Sequence, residues 1–324
     1  MPADPFDTIV PLLPSSCRAW GRGWCAAAAG MLEAWAAKPG NVHPAAAFAD
    51  LSHADLVAAA LAIAPAMERA AEVPLGRTIL AAVTASRAVT RSNANLGIVL
   101  AIAPLAAVPD DRCAAPHGMA PRPADVAAVL ARLTPADAAD VWRAIGLARP
   151  GGMGTSPRHD LAGPPPEDLL EAMRIAAPRD AIARLWADGY AALEDGPVRD
   201  LDAALAAGRP LDEAIVATFL AQLARQPDSL VARRHGPEVA DEVSGRAAAA
   251  AGDPGRRAAL DRDLRARGIN PGTTADLTAA ALYILVADGR LRPAARPSGP
   301  DARSTTTAAP PRPDTTIPRV ENAP

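Results

Sequence analysis

The chain has one lysine, Lys38, against 32 arginines, and only five asparagines. Five of these six Lys and Asn residues fall in three short segments: Lys38-Pro39-Gly40-Asn41, Ser92-Asn93-Ala94-Asn95-Leu96-Gly97 and Asn270-Pro271-Gly272-Thr273-Thr274-Ala275-Asp276. Arg replaces Lys on a solvated surface but not where a compact ammonium is needed, so the lone Lys is worth following. Other reactive side chains also sit in polar breaks: His43, Asp50, His159-Asp160 and Arg233-Arg234-His235. Cationic side chains, together with backbone amides at helix starts, bind phosphate. Carboxylates such as Asp276 and Asp160 hold hard cations or accept protons. Each residue also has an ordinary reading. Asn and Gly cap helices, a first-turn Asp complements the helix dipole, and an Arg-Arg pair is a solvated face.

The elements that must position these residues are helices. A quarter of the 324 residues are alanine, 81 in all, and only 10 are aromatic. That balance favours helices and disfavours an all-β fold. Half the residues are hydrophobic and 21% charged, as in a globular protein with an ample core. The net charge of −3 gives no general attraction to nucleic acid or anionic membrane. No stretch of about 20 residues is apolar and uncharged, so no membrane span is expected. Cys17, Cys25 and Cys113 show no metal or disulfide spacing, which suits a reducing, cytoplasmic setting. The acidic N-terminus is a poor signal peptide.

Along the chain, residues 1–15 read as a Pro-punctuated arm. Residues 16–37 read as a helix with Trp20, Trp24, Leu32 and Trp35 as candidate core contacts, ending at Lys38-Pro39-Gly40. Further helices are expected at 52–72, 75–91, 95–107, 134–148, 167–177, 179–194, 211–225, 237–251, 254–267 and 274–288. Ser52 and Thr134 are helix-start signals. In the last helix Leu277, Ala281, Leu282 and Leu285 share one face. Residues 109–123, 150–168 and 226–237 read as loops, and 291–324 as a disordered tail rich in Pro, Thr and Ala. His53 and His117 are expected to be exposed. The fold class is all-α: one domain over 16–290, of roughly a dozen helices, whose polar loops converge on one site.

Six segments, in order, resemble the triphosphoribosyl-dephospho-CoA synthase family. They are LEAWAAKPGNVH (32–43), SNANLGIVLAIAPLA (92–106), ARPGGMG (148–154) with His159-Asp160, EAMRIAAPRDAIARLWADGY (171–190), PDSLVARRHG (227–236) and NPGTTADLTAAALYILV (270–286). The segments 92–97 and 270–277 depart from the founding pattern and are similar to a divergent branch found in archaea and methylotrophic bacteria. The resemblance implies a magnesium-dependent, all-helical transferase acting on ATP and 3′-dephospho-CoA. The acceptor's 2′-hydroxyl attacks ribose C1′ and adenine leaves. Two alternatives are the same ATP chemistry with another acceptor, such as a precursor of a methanopterin-type one-carbon cofactor, and a non-catalytic nucleotide-binding protein. A homodimer is left open.

The implied roles place Lys38 on the triphosphate and Arg233, Arg234 and His235 on a second phosphate. Gly40, Gly152, Gly272, Thr273 and Thr274 offer amides, and Asn93 and Asn95 bond ribose or base. Asn41, His43, His159 and Asn270 complete the substrate set. Asp276 and Asp160 lead the candidate magnesium ligands and bases, followed by Asp180, Glu33, Asp50 and Asp228. Asp50 is a further metal candidate. Asp180 also has Arg184 four residues on, an alternative structural ion pair.

Overall fold

The computed structural model describes residues 21–109, 120–149 and 161–291. The expected arm, the tail beyond Leu291, and Trp20, His117, Gly152, His159 and Asp160 lie outside the described residues. Those that are described form one compact unit, and its regular elements are helices. The extended pairings among them are two isolated antiparallel bridges, His43 with Ala46 and Phe48 with Leu51.

The helices are α1 (Arg22–Trp35), α2 (His53–Glu68), α3 (Leu75–Val89), α4 (Leu96–Ala106), α5 (Pro123–Leu130), α6 (Pro135–Ala148), α7 (Leu169–Ala176) and α8 (Ala181–Ala187). A short α9 (Ala191–Leu193) runs through a π-helical turn (Glu194–Val198) into α10 (Arg199–Ala206). Then follow α11 (Leu211–Arg225), α12 (Ser229–His235), α13 (Pro237–Ala250), α14 (Pro254–Ala266) and α15 (Gly272–Ala287).

Local chemistry sets the boundaries. Ser52 with Asp55, and Thr134 with Asp137, close full capping boxes at α2 and α6. Asp180 and Asp228 cap α8 and α12, each through two backbone amides. Gly23 and Gly30 let α1 lie close to α2: a Cβ on Gly23 would meet the Ala64 carbonyl oxygen at 2.2 Å.

Several sequence expectations change here. The polar break 226–237 contains α12, because Asp228 caps a seven-residue helix whose Arg and His residues end it. The expected helix 179–194 is interrupted at Gly189 and Tyr190, both in the left-handed region. Helices α5 and α10 were not anticipated. Trp24 is 57% exposed rather than core, whereas Trp35 packs against the core. His53 is half-buried, with its ring edge-on to Trp35 at 5.7 Å.

The last helix differs most. It begins at Gly272, and Thr273–Ala275 and Leu277–Ala287 are all buried, so it has no single apolar face. It is the central helix, packed against α1, α4, α8, α11 and α12. The segment 181–190 is locked onto α4 by one missing donor. Pro104 has no amide N–H, which frees the Leu100 carbonyl inside α4. The Trp186 Nε1–H donates to that carbonyl at 2.9 Å, and the Tyr190 hydroxyl donates to the Ala101 carbonyl at 2.9 Å. Burial pushes the Tyr190 phenol well above its usual range, so it stays a donor.

Candidate functional site

A cavity of about 300 Å³ opens where the C-terminal end of α1, the starts of α4, α8 and α15, and α6, α7 and α12 meet. Nine of the expected residues line it: Glu33, Asn41, Asn93, Asn95, Asp180, Arg233, Asn270, Gly272 and Asp276. Three carboxylates from three helices therefore face one space, with Arg179 and Arg233 beside them.

Asp276 lies on the first turns of α15 and keeps part of its surface toward the cavity. Its other sides are enclosed. Desolvation, then the negative charges of Glu33, Asp228 and Asp180, hold its carboxyl well above the ordinary range, and Arg233 offsets only part of this. Its carboxylate occupies room left by Gly97: a Cβ there would sit 1.9 Å from Asp276 Oδ2. Any larger residue at 97 forces the carboxylate away.

Glu33 is held from behind. The Lys38 ammonium lies 2.9 Å from Glu33 Oε1 and donates also to the carbonyls of Glu33 and Ala36. Lys38 is 0% exposed and Glu33 5%. The ammonium thus sits at the negative end of the α1 dipole, behind the cavity wall rather than in it. The expected contact of Lys38 with triphosphate is replaced by an ion pair to a cavity carboxylate.

Asp180 pairs with Arg233 Nη1 at 2.5 Å, across the fold. Arg184 instead donates to the Ala177 carbonyl, so the local pair four residues apart does not form. Arg233 Nε is buried without a hydrogen-bond partner, as is Asn41 Oδ1. Asn41 Nδ2 donates to Asn270 Oδ1 at 2.6 Å, which joins the first and last Pro-Gly segments across the cavity.

Further expected residues, Asn93 and Asn95 of the lining among them, have partners in the scaffold. Gly40, at φ 77°, donates its amide to Asp261 Oδ1 at 2.8 Å, and Arg265 of α14 clamps the Asn41 carbonyl. The Asn95 side chain is spent on Ser86 and the Ala59 carbonyl, and Asn93 Oδ1 caps α4 by accepting from the Leu96 amide. Thr274 gives its amide and hydroxyl to Asp228 Oδ2, at 2.7 and 2.8 Å, and Thr273 Oγ1 accepts from Ser229. The Thr274 amide and hydroxyl are thus committed to Asp228, which joins two helix starts. Asp50 and Arg234 are exposed, His43 and His235 are half-buried, and none of the four lines the cavity.

Residues 19–293 match the CitG family, described as ATP:dephospho-CoA triphosphoribosyl transferase. The chain belongs to this family. A solved structure from Archaeoglobus fulgidus, described as a candidate triphosphoribosyl-dephospho-CoA synthase, aligns at a TM-score of 0.57 and 26% identity. The alignment covers 72% of this chain and 99% of that one. No curated protein matches the chain. As a CitG-family protein it is a transferase of the triphosphoribosyl-dephospho-CoA synthase type. Sequence reasoning missed the apolar side of the cavity and Arg179. Apolar residues on amphipathic helices read as core whether they face a neighbour or a cavity. Arg179 is one arginine among 32 and carried no distinguishing signal.

Proposed function

We propose that this cavity transfers the 5-triphosphoribosyl group of ATP to 3′-dephospho-CoA. The acceptor's 2′-hydroxyl oxygen bonds to C1′ of the ATP ribose, and the C1′–N9 bond breaks. The hydroxyl proton leaves to a base, and adenine departs with the bonding pair and gains a proton. Positive charge builds at C1′ during this exchange, as in glycoside hydrolysis. The observation that carries the reading is that Glu33, Asp180 and Asp276 line one space; burial, and after it the neighbouring carboxylates, raises the proton affinity of Asp276.

Each group has a task suited to its surroundings. Glu33, anchored by Lys38, offers fixed negative charge to the developing cation. Asp276, whose burial and carboxylate neighbours raise its proton affinity, is the group placed to take the hydroxyl proton. Arg233 has an unused Nε donor for a phosphate oxygen, and Arg179 adds a second cation nearby. Asn41 offers a buried acceptor to a hydroxyl or amino group of the nucleotide.

Magnesium fits this donor set. The ion commonly takes one or two carboxylates and completes its shell with substrate phosphates, and Glu33 would supply such an oxygen where negative charge is already in excess, leaving Asp276 for the proton. When bound with ATP it would offset triphosphate charge.

The test is direct. Purified protein is incubated with ATP, a magnesium salt and dephospho-CoA, and free adenine is followed chromatographically. Adenine release that requires dephospho-CoA, with a product mass equal to acceptor plus triphosphoribosyl, is expected. Absence of adenine under these conditions refutes the proposal.

A further inference from the structure

The cavity has two chemically different halves, and they come from different elements. The carboxylates, Arg233 and the Asn41–Asn270 pair come from α1, the loop after it, α8, α12 and the start of α15. An apolar wall comes from Leu56 of α2, Trp142 and Ile145 of α6, and Leu169 and Met173 of α7. That wall carries no charge. It holds one polar atom that is not satisfied: Trp142 Nε1 is buried and has no hydrogen-bond partner. An indole N–H is a donor only, and buried indole donors usually find an acceptor. A lone donor in an aliphatic wall selects a ligand segment that is mostly apolar but carries a carbonyl.

Resting on the transfer reaction above, we infer that this wall binds the pantetheine arm of the acceptor, with Trp142 Nε1 donating to one of its amide carbonyls. The arm is the one extended, uncharged part of either substrate, and its methylene and dimethyl groups match Leu56, Ile145 and Met173. The triphosphate of ATP cannot be placed against that wall without stripping charged oxygens of their partners. The wall therefore sorts the two substrates. Donor phosphates and the reacting ribose go to the charged half, and the acceptor's arm goes to the α6–α7 side.

The experiment is calorimetric binding of dephospho-CoA, of ADP (the same nucleotide without the arm) and of ATP. It compares the wild-type chain with Trp142→Phe, which keeps the ring and removes only the N–H. Leu56→Asn, at a half-buried wall position, is the second variant. Dephospho-CoA is expected to bind the wild type more tightly than ADP does, and to lose about tenfold in each variant, while ADP and ATP are unchanged. The inference is overturned if dephospho-CoA gains nothing over ADP, if neither variant weakens it, or if ATP weakens instead. Adenine release by the wild type reads the reaction separately. Release without an arm effect removes the wall assignment alone, and an arm effect without release removes the reaction alone.

Discussion

Replacing Lys38 by Met tests whether the lone lysine holds Glu33. In the folded chain the ammonium is fully buried, the Glu33 side chain is 6% exposed, and the two lie 2.9 Å apart. Removing only the cation leaves a carboxylate with little water and no counter-charge. Breaking one side of a buried pair costs about 3–5 kcal/mol. At about 2–4 °C per kcal/mol for a domain of 150–250 residues, the melting temperature should fall by about 6–20 °C. The variant Lys38→Met/Glu33→Gln removes both charges and should recover most of that loss, giving a coupling energy of at least about 2 kcal/mol. Lys38→Arg should not rescue, because a guanidinium has no room where exposure is zero and the ammonium bonds two carbonyls. Thermal unfolding by circular dichroism on the single variants and the pair supplies the cycle. A loss below about 1 kcal/mol for Lys38→Met, or no recovery in the pair, would refute the reasoning. The recovered pair should still release adenine poorly, since the fixed carboxylate is gone.

Two further substitutions probe the other face of the site. Asp276→Asn should lower turnover by about 10²–10⁴-fold while raising the melting temperature. The carboxyl's folded pKa is raised, so its contribution to stability is present at low pH and is lost as pH rises through that value. The stability gap between variant and wild type should therefore widen as pH rises from the ordinary carboxylate range, and a gap independent of pH would contradict the buried-charge account. Gly97→Ala should keep the melting temperature, since Ala is the better helix former by about 1 kcal/mol, yet cut adenine release at least tenfold by displacing the Asp276 carboxylate. Unchanged turnover would show that the carboxylate's position is immaterial.

Much of the fold was legible in the sequence because its signals were local. Thr134-Pro135-Ala136-Asp137 and Ser52-His53-Ala54-Asp55 are complete helix starts on their own, and the structure closes both boxes. The site was legible as a set of segments: Glu33, Asn41, Asp180, Arg233, Asn270 and Asp276 do share a cavity. What each side chain does was not legible, because partners came from far along the chain. Asp180 had a plausible partner at Arg184 but took Arg233, 53 residues away. Asp228 and Thr274 looked like separate site candidates until the fold joined them. The direction of Lys38 was hidden too, since an ammonium at a helix end points outward to a phosphate or inward to a carboxylate with the same sequence around it.

The central position of α15 bears on how the protein is made. Ribosomes deliver α1 first and α15 last among the described helices, yet α15 fills the space between α1, α4 and α11. A nascent chain that has reached Ala266 has most of its helices but a hole along its axis, lined by apolar side chains with nothing to cover them. It also lacks Asp276. The chain therefore acquires its closed interior and its tuned carboxylate in the same late event, and a prematurely terminated product is left both inactive and adhesive.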